Sequence, residues 1–180
     1  MPHGPEREPS PFVLAHLGAL LATAALGPAL VLACGRGRHT ALLAGRGLRV
    51  VALDLDPEAL RSAAGATAAR PLDLVRADAE AASGLPFRGA SFGAALVSRF
   101  LFRPLAAELT ALLRPGGLLL YETFTIRQRD LGYGPKNPAF LLEEQELPAL
   151  FPGLRVIDHR EGCRSTPRGE WLASLLAMKA

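Results

Sequence analysis

The sequence predicts an α/β fold: a doubly wound, seven-stranded sheet with five parallel strands and a C-terminal antiparallel hairpin. Short, continuous apolar runs alternate with helical segments along most of the chain. This alternation is typical of a parallel sheet that helices cover on both faces. The last two apolar runs are joined by residues 160–169, which contain glycine and proline and show no helical pattern. These two strands are therefore expected to pair as a hairpin at one edge of the sheet.

Local signals place the individual elements. Ser10 is expected to cap a helix that begins at Pro11, since proline is tolerated at the first helical position, and Gly27-Pro28 ends that helix. Polar, proline-rich residues 1–10 predict a flexible leader. Strands are predicted at residues 29–33, 49–53, 72–76, 94–98, 118–122, 154–159 and 171–178, and further helices at residues 40–44, 57–69, 104–113 and 138–150.

Length and composition predict one domain over residues 1–180. A chain of 180 residues with 49% hydrophobic content is long enough to bury one core. The formal net charge is +3 and the arginines are scattered, which does not favour a nucleic-acid partner. Cys34 and Cys163 have no metal-ligand spacing, so they predict two small buried residues and no metal site. Both a monomer and a homodimer remain open.

Residues 12–35 form an apolar stretch that would suit a membrane span or a lipoprotein signal. Three features oppose that interpretation. Acidic neighbours offset the charge of Arg7, His16 interrupts the run, and Gly27-Pro28 divide it. A cytoplasmic protein without a membrane partner is therefore expected, and an exported protein is the alternative.

A glycine-rich turn, Gly35-Arg36-Gly37, follows the first strand directly and precedes a helical segment. At this position a chain must turn sharply and bring its backbone near a ligand. Asp54 follows the second strand, where a carboxylate accepts hydrogen bonds from ribose hydroxyls. Together these features predict a nucleoside ligand, against the alternative of an ordinary tight turn beside an exposed acid.

The residue at the place of a third glycine helps to distinguish between two candidate nucleoside ligands. A dinucleotide fingerprint requires this glycine where the chain has Thr40. The terminal hairpin also fits poorly with a sheet of purely parallel halves. Both points favour S-adenosylmethionine over NAD. Arg36 and Arg38, beside a helix N-terminus, would suit a phosphate and keep a nicotinamide-dependent oxidoreductase as an alternative.

Four stretches carry a longer pattern, namely ALVLACGRGRHTALLAGRGLRVVALDLDPEAL, VRADAE, LPFRGASFGAALVSRFL and LLRPGGLLLYETF. They span most of the chain, and they resemble the class I S-adenosylmethionine-dependent methyltransferases, which have a Rossmann-like fold. Within that family, FLFRPL, YETF and GPKNPAFLLEEQEL are most similar to the tellurite-resistance-type and related small-molecule methyltransferases. The resemblance implies an enzyme that methylates a small molecule.

The resemblance also implies a cofactor-binding role for eight residues: Ala33, Gly35, Gly37, Asp54, Leu55, Asp78, Ala79 and Ser98. By analogy with the family, Asp54 would bind the ribose hydroxyls and Asp78 would meet the adenine amino group. Leu55 and Ala79 would flank the adenine ring, and Ser98 would lie near the methyl-transfer face.

The chain departs from the family pattern at three positions. Val31 stands where the family usually has an acid that helps to hold the cofactor's amino group. Ala33 replaces a glycine, and Gly93 replaces an aspartate. These departures make a non-catalytic S-adenosylmethionine-binding protein the main alternative to a methyltransferase.

Methyl transfer is an in-line displacement in which positioning can supply most of the acceleration, so no particular catalytic residue is expected. The candidates for contact with the acceptor are His39, Arg99, Arg103, Glu122 and Tyr133. Glu122 is interpreted either as a base or anchor or as a solvated strand-end carboxylate. His39 either contacts the acceptor or is a surface residue at a helix start. Tyr121 is expected to point into the core.

Residues 125–137 form a long polar loop after the fifth strand. This loop is expected to be either a lid over the acceptor or a connector. Its arginines favour an anionic acceptor. An oxygen or nitrogen acceptor would need a base, whereas a soft thiolate, selenide or telluride would not. The sequence therefore predicts a small, anionic or chalcogen-containing acceptor.

Overall fold

The computed structural model of the chain describes residues 8–67, 71–164 and 169–180. The strands are β1 (Ala29–Leu32), β2 (Val50–Asp54), β3 (Leu72–Arg76), β4 (Phe92–Ser98), β5 (Leu113–Phe124), β6 (Leu154–Arg164) and β7 (Glu170–Lys179). The α-helices are α1 (Pro11–Ala15), α2 (Leu17–Ala22), α3 (Arg38–Gly45), α4 (Pro57–Gly65), α5 (Ala106–Leu112) and α6 (Glu146–Ala149). Short 3₁₀ segments occupy Thr23–Ala25, Arg103–Leu105, Ile126–Leu131 and Pro138–Phe140.

All seven strands form one sheet in the order β3-β2-β1-β4-β5-β7-β6. Strands β1 to β5 run parallel, and β7 lies antiparallel between β5 and β6. This arrangement confirms the predicted fold class, including the terminal hairpin. The order reverses between β1 and β4, which is the position where open α/β sheets bind their ligands at the carboxyl ends of the strands.

Two apolar cores cover the two faces of the sheet. On one face, Leu43 of α3 and Leu60 of α4 pack with alternate residues of the strands. On the other face, Leu109 of α5 and Leu147 of α6 pack with the remaining strand residues. Because the central strands are buried on both faces, they consist of continuous apolar runs rather than alternating ones.

The N-terminal helix differs from the prediction of one continuous element. Ser10 caps α1 as predicted, since its Oγ accepts a hydrogen bond from the Phe12 N–H at 3.1 Å. The helix then breaks at His16, whose φ of −106° is non-helical and whose ring is 2.9 Å from the Asp158 carboxylate. Ser10 is also buried and does not belong to a flexible leader. Residues 1–7 of that predicted leader lie outside the described residues.

The helix predicted at residues 138–150 is wrong over most of its length. Only the 3₁₀ segment Pro138–Phe140 and α6 are helical. Between them, Leu142 extends the pairing of β5, because its N–H donates to the Phe124 carbonyl at 2.9 Å. Leu141 has extended backbone angles, with φ −125° and ψ 135°, and both Leu141 and Leu142 are fully buried.

Two predicted element ends also move. The helix predicted at residues 57–69 ends at Gly65, and residues 68–70 lie outside the described part of the chain. Strand β6 continues to Arg164, so the first part of the predicted connection between the last two strands is itself strand. The rest of that connection includes residues 165–168, which are not described.

The two cysteines are free and have different environments. Cys34 is buried, and burial together with the nearby Asp54 raises the pKa of its thiol to about 12. Cys163 is exposed, which corrects the prediction that both are buried. The reason is that β6 is the edge strand of the sheet. Among the described residues, no helix is both long and apolar enough to cross a membrane.

Candidate functional site

The turn after β1 has an unusual backbone. Ala33, Gly35 and Gly37 all have positive φ, at 48°, 52° and 86°. A Cβ added at Gly37 would lie 2.5 Å from the Cα of Ala63, whereas one added at Gly35 would meet nothing within 4 Å. Gly37 therefore allows α3 to approach α4, and Gly35 leaves open space in front of the turn. Ala33 takes the left-handed conformation that favours glycine, the residue usual in the resembling family.

Asp54 is held against this turn by its own hydrogen bonds. One carboxylate oxygen accepts from the Gly35 N–H at 2.8 Å, and the other accepts from the Asp56 N–H at 3.0 Å. The carboxylate is only half-buried, and each oxygen has a second lone pair. Leu55, the next residue, is 56% exposed. A large apolar side chain thus stands in solvent beside a fixed carboxylate.

Asp78 and Ala79 lie next to Asp54, as their predicted roles require. The Ala77 N–H donates to the Asp54 carbonyl at 3.2 Å, which ties the segment after β3 to the end of β2. Asp78 is exposed and accepts a hydrogen bond from the Glu80 N–H at 2.9 Å. The open side of Gly35, the carboxylates of Asp54 and Asp78 and the exposed Leu55 therefore lie around the ends of β2 and β3.

The departures at Val31 and Gly93 have a structural basis. Val31 is buried in β1, in register with Ala52 of β2 and Leu96 of β4, so this part of the strand carries no charge. A Cβ at Gly93 would lie 2.6 Å from the backbone oxygen of Thr23. An aspartate at position 93 would overlap the N-terminal helical segment, and the close packing of that segment explains the glycine.

A row of polar side chains crosses three neighbouring strands near the carboxyl ends of β4 and β5. Ser98 of β4 pairs with Glu122 of β5, which pairs with Ser174 of β7. Glu122 is fully buried, and its Oε2 accepts from the hydroxyls of Ser174 at 2.9 Å and Ser10 at 3.0 Å. Arg164 also pairs with this oxygen. The interpretation of Glu122 as a solvated strand-end carboxylate is wrong. Strand β5 continues past it, and residues of β6, of β7 and of the start of α1 surround it.

His39 lies beneath Ser10, at the start of α1. The side chain is only 3% exposed, and its Nε2 accepts the Ser10 N–H at 3.0 Å. Burial, with added repulsion from nearby arginines including Arg38, lowers the pKa of His39 to about 3. The imidazole is therefore neutral at physiological pH. The interpretation of His39 as a surface residue is wrong, since Ser10 and α1 cover it.

The two arginines predicted to contact the acceptor occupy different places. Arg99 has a positive φ of 58°, pairs with Glu170 at 2.7 Å and lies over the Phe124 ring, 5.4 Å from its centroid. It therefore stands at the end of β4, at the site. Arg103 instead binds Glu146 through two nitrogens and also donates to backbone carbonyls of the segment before α6. Arg103 fastens that segment to the fold.

The predicted loop at residues 125–137 is anchored rather than a loose connector. Its first part is the 3₁₀ segment Ile126–Leu131. Gln128 is fully buried, donates to the Tyr133 carbonyl at 3.1 Å and accepts the Trp171 N–H at 2.9 Å. The Tyr133 hydroxyl donates to the carbonyl of Gly169, so Tyr133 also ties the loop to β7.

Basic side chains on the same loop line an open cavity. Arg127, Arg129 and Lys136 contribute to its walls together with Asp130, and its volume is about 480 Å³. Arg127 lies 4.2 Å from the centroid of the Trp171 ring. The cavity combines positive charge with solvent access.

A second cavity of about 520 Å³ opens at the carboxyl ends of β4 and β5. The described residues that line it are Glu80, Arg99, Phe100, Leu101, Thr123, Phe124, Gly134, Pro135 and Phe140. Sequence reasoning quoted the stretches with Phe100, Phe124 and Phe140 but assigned none of them to a site. The sequence did carry a signal, because Phe100 and Phe124 each lie two positions after a predicted strand, at the edge of the sheet where ligands bind.

Tyr121 confirms its predicted core position. Its side chain is buried, its hydroxyl donates to the Phe100 carbonyl at 2.9 Å, and burial raises its pKa. Within the described residues, no group of His, Cys, Asp or Glu side chains is arranged to hold a metal ion.

Comparisons with known proteins agree with this geometry. A family profile described as a methyltransferase domain matches residues 30–121, just over half of the chain. The chain therefore belongs to the methyltransferase domain family, and its fold is that of the class I S-adenosylmethionine-dependent methyltransferases. No curated protein shows a significant sequence match.

Solved structures show the same fold at low identity. An S-adenosylmethionine-dependent methyltransferase from Methanosarcina mazei is 20% identical with a TM-score of 0.69, over 96% of this chain and 98% of that one. TehB from Haemophilus influenzae is 17% identical with a TM-score of 0.69, over 91% and 62% of the two chains. The [4+2]-cyclase SpnF is 17% identical with a TM-score of 0.67, over 91% and 80%.

Proposed function

We propose that the chain transfers the methyl group of S-adenosylmethionine to a small-molecule acceptor. The observation that carries this proposal is the turn after β1, where the open Gly35 and the fixed carboxylate of Asp54 form one surface. When bound, S-adenosylmethionine supplies a methyl carbon whose bond to the sulfonium sulfur breaks as the bond to the acceptor forms. The chain's own residues bind, orient and shield the reactants.

The nucleoside end of the cofactor is assigned to residues at the ends of β2 and β3. Asp54 accepts hydrogen bonds from the ribose hydroxyls through its remaining lone pairs. Leu55 and Ala79 cover the adenine ring, and Asp78 accepts from the adenine amino group. Leu55 is 56% exposed, so its side chain is accessible to a ring placed beside Asp54.

The methionine end of the cofactor is assigned to Ala33, Gly35 and Gly37, with Ser98 near the methyl group. Ser98 is half-buried and accepts a hydrogen bond from Arg38 at 3.1 Å. That contact also weakens the nicotinamide alternative, in which Arg38 would bind a phosphate. Position 31 provides no acid for the amino group of the cofactor.

Acceptor contacts are assigned to the side of the site formed by β4, β5 and residues 125–137. Arg99 stands there at the end of β4, and Tyr133 anchors the loop. The basic cavity with Arg127, Arg129 and Lys136 supports an acceptor with an anionic group. A chalcogen nucleophile needs no base, which is consistent with a site where Glu122 and His39 are each hydrogen-bonded to buried residues of the fold.

A non-methylating S-adenosylmethionine-binding protein is the second candidate. It is favoured by the apolar Val31, and SpnF, which shares the fold, is described as a [4+2]-cyclase. The two candidates differ in one measurement. Release of labelled methyl groups from S-adenosylmethionine to any member of a panel of small thiols, phenols and oxyanions supports the methyltransferase and excludes the second candidate.

Calorimetric titration with S-adenosylhomocysteine tests the cofactor site. Asp54→Asn should weaken binding by about 10- to 100-fold, since hydrogen bonds to a charged group contribute about 1.5–3 kcal/mol. Asp73→Asn is the matched control, because Asp73 pairs with Arg49 on the exposed surface of β3 and should leave binding unchanged. Wild-type affinity in Asp54→Asn, or no binding by the wild type at millimolar ligand, would overturn the proposal.

A further inference from the structure

We propose that the cavity between β4, β5 and residues 134–140 is an acceptor subsite that binds a compact aromatic molecule. This inference rests on the proposed function, since it names the class of acceptor for the same site. Its volume of about 520 Å³ lies within the range of small-molecule sites, roughly 300–1,000 Å³. The cavity is therefore large enough for an organic molecule with one or two rings.

The position of the cavity connects it to the cofactor. At one end the wall includes Glu80, which follows Asp78 and Ala79 directly in the chain. The wall also includes Phe124, Gly134, Pro135 and Phe140. A molecule held at the Phe124 end lies on the β4 and β5 side of the cofactor residues, where the methyl group has to be delivered.

The lining of the cavity is mainly apolar. Its walls include Phe100, Leu101, Phe124, Pro135 and Phe140. Phe140 is 49% exposed, so about half of its surface is not buried in the core and can pack on a ligand. Aromatic rings favour other flat rings as partners through stacked or edge-to-face contacts. The walls thus match a planar, apolar acceptor.

The charges at the cavity favour the same class. The charged side chains in its described lining are Arg99 and Glu80. Arg99 is already ion-paired with Glu170 at 2.7 Å and lies over the Phe124 ring, so its charge is largely balanced. An inorganic oxyanion would lose its hydration there without several cationic partners in return, which is unfavourable. An aromatic thiol or phenol fits the cavity better than an oxyanion such as tellurite.

Fluorine NMR on the chain saturated with S-adenosylhomocysteine tests this subsite, with 4-fluorothiophenol as the probe. The probe should bind, and Phe140→Ala should weaken its binding about three- to tenfold. Ile157→Ala is the control, because Ile157 is similarly exposed at 46% but lies on the edge strand β6. This control and the wild type should bind the probe equally, and both variants should keep wild-type affinity for S-adenosylhomocysteine.

Three results would overturn the subsite: no binding of the probe, equal binding by wild type and Phe140→Ala, or displacement of the probe by an equal concentration of sodium sulfate, an oxyanion that does not oxidise the thiol. These failures are distinct from failure of the proposed function. If S-adenosylhomocysteine does not bind, the cofactor assignment is lost. If it binds and the aromatic probe does not, only the acceptor class is lost.

Discussion

The two glycines of the turn after β1 have different physical roles. Gly37→Ala should lower the free energy of unfolding by about 3 kcal/mol, because the new Cβ would add a close contact with Ala63 to an unfavourable φ. Gly35→Ala should lower it by only about 1 kcal/mol, since φ is unfavourable but the space is open. Urea denaturation of both variants measures the difference, and equal losses would contradict the assignment.

Gly35→Ala should instead weaken ligand binding. Its Cβ would occupy the open space in front of the turn, which we assign to the cofactor. Calorimetry should show weaker binding of S-adenosylhomocysteine by this variant at a temperature where it is fully folded. The turn thus separates a glycine needed for packing from a glycine needed for binding.

His39 should make the protein sensitive to acid. The pKa of His39 is about 3 in the folded chain, against an ordinary value of 6.5. Between these values the unfolded chain binds the extra proton and the folded chain does not, so stability rises with pH in this window and falls as pH decreases. His39→Gln should therefore lose less stability than the wild type between pH 7 and pH 4.5.

Urea denaturation at the two pH values measures this effect, which should reach a few kcal/mol in the wild type. Glutamine keeps an acceptor for the Ser10 N–H, so the variant removes the titrating imidazole of His39 and retains the hydrogen bond. His159→Gln, on β6, controls for the loss of an imidazole as such. The same loss of stability in His39→Gln and in the wild type would show that His39 does not stay neutral.

Arg103 fastens the last part of the segment between β5 and α6. Arg103→Gln should remove the paired contacts with Glu146 and the bonds to the carbonyls of Ala139 and Leu141. Because this ion pair is partly exposed, the global loss should be only about 1 kcal/mol. Hydrogen exchange should become faster in residues 139–146, while affinity for S-adenosylhomocysteine stays unchanged.

Arg49→Gln is the matched control, since Arg49 forms an exposed ion pair with Asp73 on another part of the sheet. It should leave exchange in residues 139–146 as in the wild type. Unchanged exchange in Arg103→Gln, together with weaker acceptor binding, would restore Arg103 as a substrate residue. The pair of variants therefore decides between the sequence-based role of Arg103 and its structural one.

The architecture of the whole molecule was largely predictable from its sequence. Parallel strands buried on both faces must be continuous apolar runs, and the runs in β1, β2 and β4 are of this kind. The missing helix between β6 and β7 predicted their antiparallel pairing. The turn with Gly35 and Gly37 and the carboxylate of Asp54 could also be identified, because each stands at the end of a predicted strand.

The parts that escaped prediction depend on contacts between distant residues. Ser10 and Glu122 are 112 positions apart. No local pattern indicates that the Ser10 hydroxyl donates a hydrogen bond to a buried carboxylate. His39 is buried by the same segment, so its environment was equally hidden. The helix expected at residues 138–150 failed because pairing of Leu142 with the end of β5 overrides a segment rich in helix-forming residues.

The central claim is that the chain holds S-adenosylmethionine on the turn that contains Gly35 and Gly37. Native mass spectrometry of the chain with S-adenosylmethionine, S-adenosylhomocysteine and NAD present together tests it directly. We predict one bound equivalent of S-adenosylmethionine or S-adenosylhomocysteine in the wild type, and occupancy reduced by about 10-fold or more in Asp54→Asn at ligand concentrations near or below the wild-type Kd. Retention of NAD, or of no nucleoside at all, would contradict the account.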